Sequence, residues 1–185
     1  MFTKTNLVIF TVLFFSITIQ GKSFAEESFP KVNLDKEPRQ ITATIENYNI
    51  AGGEGIAMTA LRLERYVRTY ITAGPELDWA IVGKRGGYFA GGININFYFL
   101  NKESIKIANR IFFGGGGGGA MNLYAGGGMI IKFSGELIKP VTKKLSLRTE
   151  FGLIRFVNGR ISSKLISGGI SYKYYKIKEK NNIIN

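Results

Sequence analysis

The 185-residue sequence contains no cysteine, no histidine and only four prolines. An exported chain without cysteine is no disulfide scaffold and must be held by its fold alone. Without histidine, Ser-His hydrolysis, imidazole acid–base catalysis and histidine-ligated metal sites are excluded together. The apolar run from Leu7 to Ile19 covers 13 residues, short of the roughly 20 that a membrane-spanning helix needs. Lys4 before it and Ser23-Phe24-Ala25 after it complete the layout of a secretory signal peptide. Residues 1–25 are therefore expected to be removed on export, with cleavage before Glu26.

What is present in excess is positive charge. Lys and Arg number 25 against 13 acidic residues, a net charge of +12. Loss of residues 1–25 takes Lys4 and Lys22 with it and leaves 23 basic and 13 acidic residues, a net +10. Such an excess suits nucleic acid, anionic lipid head groups or a plain water-facing surface. Nucleic acid fits worst, because the exported part alternates as strands do, and no nucleic-acid partner is expected.

Residues 26–38 carry two prolines and little periodicity, and read as an N-terminal arm. Beyond them the apolar period is two. Arg39–Ile50 sets Ile41, Ala43 and Ile45 against Thr42, Thr44 and Glu46. The segment Ile56–Val67 reads two ways. As a strand it puts Leu61 and Leu63 opposite Arg62 and Glu64; as a helix it lines up Ala57, Ala60, Leu61, Glu64, Val67 and Ile71. Context favours the strand, since a lone helix among strands would need its own apolar partner. Tyr70–Val82 alternates, with Pro75 removing a ladder donor and predicting a bulge. Tyr88–Leu100 sets Phe89, Ile93, Ile95, Phe97 and Phe99 against Tyr88, Asn94, Asn96 and Tyr98.

Ile105–Phe113 leads into six glycines at 114–119, which read as a flexible hairpin tip. The hairpin Leu123–Val157 turns at Lys139–Lys144. Its second arm puts Leu145, Leu147, Phe151 and Leu153 on one face, and Ser146, Arg148 and Glu150 on the other. Asn158-Gly159 is a strong hairpin signal. Ile161–Tyr175 makes the eighth strand, and residues 176–185 a polar tail.

An even count with both ends on one side suits a closed barrel crossing an outer membrane, and closure removes the exposed edges. The expected fold is all-β: an eight-stranded antiparallel up-and-down transmembrane β-barrel over residues 39–175, preceded by a cleavable signal peptide. The apolar faces carry Trp79, Phe89, Phe97, Phe99, Tyr172 and Tyr174 near strand ends, where interfacial girdles would sit. The polar faces carry Arg62, Glu64, Glu76, Asp78, Lys132, Glu136, Arg148 and Glu150. Inside a narrow barrel these must pair across the lumen. A soluble β-sandwich would alternate too, with the same charges facing water.

The signal peptide, the eight strands and the arm LYAGGGMIIKFSGELIKPVTKKLSLRTEFGLIRF resemble the small outer-membrane barrels of the OmpA/OmpX type, over about residues 39–175. The resemblance implies both termini in the periplasm of a Gram-negative cell. It also implies tips near Gly53, Arg85, Gly117 and Gly159 outside. The chain departs from that group in its short outer loops and in the ten residues that follow Tyr175. Lys84, Arg85, Arg155, Arg160 and Lys164 fall near the predicted outer ends. Lipopolysaccharide phosphates would lie at that level, and these cations are expected to contact them.

The glycine run matches phosphate-loop patterns only trivially, with no Lys-Ser or Lys-Thr and no helix after it. Glu76 with Asp78, and Glu136 with Glu150, are paired carboxylates of the kind used in acid–base work. Arg62, Lys132 and Arg148 on similar faces make structural ion pairing the better account. No catalytic residue, cofactor or metal is expected. The function expected is that of a non-enzymatic outer-membrane barrel in envelope integrity or surface interaction. A narrow pore for small solutes and a soluble periplasmic β-barrel holding an apolar ligand are the competing expectations.

Overall fold

The computed structural model describes residues 38–50, 54–82, 88–117, 128–157 and 161–175. The expected signal peptide, nearly all of the N-terminal arm, the hairpin tips and the polar tail lie outside the described residues. Eight strands follow in order: β1 Pro38–Ile50, β2 Glu54–Arg68, β3 Ile71–Val82 and β4 Phe89–Asn101, then β5 Lys106–Gly117, β6 Gly128–Pro140, β7 Leu145–Phe156 and β8 Ile161–Tyr175. Each pairs antiparallel with its sequence neighbour, and β8 returns to β1 through partners running from Pro38↔Tyr175 to Tyr48↔Leu165. The sheet is a closed barrel. Residues 56–67 are strand throughout, laddered to β1 on one side and β3 on the other.

Period two then decides which way each side chain points. Phe151 is 62% exposed and Ile93 60%, whereas Arg62, Glu76 and Lys132 are 0% exposed. Eighteen large apolar side chains among the described residues are exposed at outward positions of this alternation. Soluble monomers rarely show a contiguous apolar patch beyond a few hundred Å². The barrel is inside-out relative to a water-soluble one. Trp79 faces outward beside Phe89 near the hairpin-tip end. Tyr172 is exposed on the outer face near the turn end.

Two expectations fail in detail. Pro75 makes no bulge: Arg62↔Glu76 and Arg65↔Ala73 keep one register around it, and Pro75 pairs with Ile93 on its other side. The irregularities fall at Ala57/Met58, Tyr66/Arg68 and Tyr98/Leu100 instead. The neighbouring Gly74 explains the tolerance. A Cβ there would lie 1.8 Å from the Leu63 carbonyl oxygen, so only glycine lets β2 and β3 close past the proline. Asn94 Nδ2 donates to the Gly74 carbonyl at 3.0 Å.

The second correction concerns the six glycines. Four of them, Gly114–Gly117, continue β5 rather than forming the tip. Two have a packing reason. A Cβ on Gly114 would meet the Phe112 ring at 2.3 Å, and one on Gly116 would meet the Tyr88 hydroxyl at 2.4 Å. Both aromatic side chains occupy the space that those glycines leave inside the barrel.

Candidate functional site

The lumen is layered along the barrel axis. Toward the hairpin-tip end lies an apolar plug that includes Tyr48, Ile56, Met58, Phe112, Ile154 and Phe156. Tyr88 and Phe156 meet edge to face there, with ring centres 6.2 Å apart. Toward the turn end Tyr66 and Tyr98 stack at 6.1 Å and 15°, over Ala108 and Ile138. Between the two caps sit ten buried charged side chains: Glu46, Arg62, Glu64, Glu76, Asp78, Arg110, Lys132, Glu136, Arg148 and Glu150.

All eight residues assigned to a lumen network from the sequence lie in this layer. Arg62 is its hub. Its guanidinium reaches Glu46 at 3.2 Å, Glu76 at 3.4 Å, Glu150 at 2.6 Å and also Glu136. Glu136 and Glu150 are direct cross-strand partners on β6 and β7. Like charges placed so are destabilising, and Arg62 bridges them with one nitrogen to each. Arg148 adds a bond to Glu136 at 3.0 Å and approaches Glu64 at 3.6 Å. Glu64 also accepts from Gln40 at 2.7 Å, from Thr42 at 3.3 Å and from Asn96.

Lys132 occupies the middle of a three-carboxylate cage. Its Nζ lies 2.7 Å from Glu46, 3.0 Å from Glu76 and 2.8 Å from Asp78. Ligand atoms of those three acids all fall within 4.8 Å of one another, a spacing that would also suit a metal ion. The ammonium already stands at the position such an ion would take. Asp78 is the least supported member, since Lys132 contacts it without hydrogen-bond geometry. Phe112 floors the layer, with Lys132 Nζ 4.8 Å and the Arg110 guanidinium 5.9 Å from its ring centre.

Sequence reasoning missed two members, Arg110 and Glu46. Arg110 pairs with Glu76 and Glu150, and Glu46 binds Arg62 and Lys132 and accepts from Tyr48. The signal was available for Arg110, which alternates with Ala108 and Phe112.

The five cations expected to meet lipid phosphates divide. Lys84, Arg85 and Arg160 lie outside the described residues. Arg155 and Lys164 are exposed on the outer face near the hairpin-tip end of β7 and β8. Arg155 pairs with Ser162 and Leu153 with Lys164, so the two cations are diagonal neighbours.

No protein-family model matches the chain. No curated protein matches it in sequence. Solved structures do match in fold. The N-terminal β-barrel domain of OprF from Pseudomonas aeruginosa aligns at a TM-score of 0.60 and 5% identity, over 75% of this chain and 98% of that one. The Neisserial surface protein A aligns at 0.54 and 11% identity, over 74% and 96%. A de novo designed transmembrane β-barrel aligns at 0.54 and 9% identity, over 75% and 96%. At such identities the likeness is one of architecture: this chain is a closed eight-stranded antiparallel barrel of the kind found in outer-membrane proteins.

Proposed function

We propose that the chain is a non-enzymatic barrel spanning the outer membrane, serving envelope integrity or surface interaction as a scaffold. The observation that carries this reading is the inverted polarity. A ring of exposed apolar and aromatic side chains surrounds a layer of ten buried, mutually paired charges. Hydrocarbon is the solvent that such an exterior fits, and strands of 12–15 residues exceed the roughly 9–11 needed to cross it when tilted. The likeness to outer-membrane barrels supports the choice of membrane. In this orientation the Pro140–Leu145 turn faces the periplasm and the hairpin tips face outward.

Trp79 supplies the test, because it is the sole tryptophan and lies on the outer face. In vesicles with brominated acyl chains its fluorescence should be quenched, and cell fractionation should place the protein in detergent-soluble envelope. Unquenched Trp79 together with recovery in the soluble periplasmic fraction would overturn the reading.

The competing functions fare worse on geometry. A pore needs a water path, but six of the ten charged groups are 0% exposed and apolar clusters close both sides of them. Planar bilayers should accordingly show no current above baseline. An apolar ligand inside the barrel would have to displace paired charges. Arg155 and Lys164 contact lipopolysaccharide phosphates in this proposal. Charge reversal at both should lower the unfolding temperature in lipopolysaccharide-containing bilayers, and an unchanged temperature would refute that role.

A further inference from the structure

A second inward-facing cluster lies outside the ion layer, at the turn-end mouth of the lumen. One cross-strand row sets Asn101 on β4 beside Lys106 on β5, then Ile138 on β6 and Arg148 on β7. Lys106 continues the inward parity of Ala108, Arg110 and Phe112, all of them buried. From the other wall β8 brings Lys173, which pairs with the buried Gln40 and shares its inward side. Lys173 Nζ stands 5.5 Å from the centre of the Tyr66 ring, so the stacked Tyr66 and Tyr98 floor the mouth. Both lysines are half-buried.

Charge here is unbalanced in the opposite sense to the layer beneath. Lys106 is repelled by Lys173 and by Arg148. Arg148 is already answered by Glu136 at 3.0 Å and by Glu64 at 3.6 Å. Neither lysine meets a carboxylate among the described residues, and the exposed Glu103 of the adjoining turn pairs with neither. Asn101 is 3% exposed, yet its side-chain amide makes no hydrogen bond among the described residues. Two ammoniums and an amide thus share the mouth, and like charges held together are costly until an anion joins them.

The chemistry of that anion follows from the donors. An ammonium binds phosphate as a point charge, and an amide N–H can serve a second oxygen of the same group. A dianion neutralises both lysines, where a single carboxylate would leave one unmet. The donors face the lumen, on the opposite side of the sheet from exposed Ile107 and Leu137, which favours a soluble ligand over a bilayer head group. We infer that Lys106, Lys173 and Asn101 form a binding site for a soluble phosphate monoester at the turn-end mouth of the barrel. Arg68, Lys102, Lys143 and Lys144, exposed around the same end, draw such anions toward it. The site depends on the closed barrel and not on the solvent around it.

The test titrates inorganic phosphate into the full-length barrel, folded in an uncharged, phosphate-free detergent. Calorimetry reads binding, and a thermal scan reads the unfolding midpoint. Wild type should bind phosphate and unfold at a higher temperature than in chloride of equal ionic strength. K106Q/K173Q should weaken binding by about tenfold or more, since two charged donors are lost. N101A keeps both charges and should weaken binding by a smaller factor, which covers the case in which K106Q/K173Q does not fold. K143Q/K144Q removes the same charge from the exposed turn and should keep the full phosphate increment. An increment equal in chloride, or one retained by both K106Q/K173Q and N101A, overturns the site. So does an equal loss in K143Q/K144Q, which would leave only diffuse attraction. Mixed micelles with phosphatidylglycerol that reproduce the phosphate increment overturn the soluble ligand and assign a lipid instead.

Discussion

Replacing Arg62 by methionine should be the most damaging single change inside the barrel. The side chain is 0% exposed and touches four carboxylates, from β1, β3, β6 and β7. The ten charged groups comprise six carboxylates and four cations, so the layer already has a formal charge of −2. Removing Arg62 takes it to −3 and leaves Glu136 and Glu150 facing each other with their bridge gone. Breaking a buried ion pair by deleting one partner costs about 3–5 kcal/mol. The upper end applies here, because four carboxylates lose a partner at once and the opposed pair Glu136 and Glu150 is left with only Arg148 and Arg110 to offset its repulsion. Methionine fills much of the same volume, so the loss is electrostatic and not a cavity. Urea unfolding of the barrel in vesicles measures it. The triple variant Arg62→Met, Glu136→Gln, Glu150→Gln should recover more than half of the deficit, since it removes the excess negative charge and the repulsion between the opposed carboxylates. A loss below about 1 kcal/mol for Arg62→Met, within the range of exposed pairs, would refute the bridging role.

Other expectations follow from single contacts. Gly114→Ala should cost about 1–3 kcal/mol by overpacking against Phe112. Gly168→Ala, where a Cβ would meet nothing within 4 Å, should stay within about 0.5 kcal/mol of wild type; equal effects in unfolding titrations would contradict the packing account. Lys132→Ala empties the cage of Glu46, Glu76 and Asp78. Refolded with calcium, that variant should gain thermal stability that wild type does not; calorimetry with and without chelator decides it. Tyr98→Phe removes the hydroxyl that accepts from Gln40 at 3.1 Å and from Arg148 at 3.4 Å. Equilibrium unfolding should register a loss of about 1 kcal/mol.

The strands were legible because alternation is a local property. Residues from Ile41 to Glu46, or from Leu145 to Glu150, declare two faces with no knowledge of their neighbours. The ion layer was legible in part for the same reason: parity says that Arg148 and Glu150 share a face. Depth is not local. Whether Glu46 meets Lys132 depends on the stagger accumulated around five strands, which no single strand encodes. The apolar plug was hidden by a different cause. Leu153 and Ile154 are both apolar, yet Leu153 lies on the outward side and Ile154 is buried inside. Where the interior is itself apolar, hydrophobicity cannot tell lumen from lipid. Pro75 misled because a missing donor reads as a defect, and the compensating Gly74 acts through a neighbouring strand.

The division of charge between the two halves of the chain bears on how the barrel assembles. β1 to β3 contribute Glu46, Arg62, Glu64, Glu76 and Asp78 to the layer, four acids against one base. β5 to β7 contribute Arg110, Lys132, Glu136, Arg148 and Glu150, three bases against two acids. Neither half can neutralise itself, and an unclosed sheet would carry its excess into hydrocarbon at high cost. Attraction between the halves favours curling the sheet, and the β1–β8 seam joins residues more than a hundred positions apart. Such long-range pairing is slow to form. In the membrane-spanning reading proposed above, insertion and closure are tied into a single late step, and a truncated chain lacking β5–β8 should stall in water before it enters the bilayer.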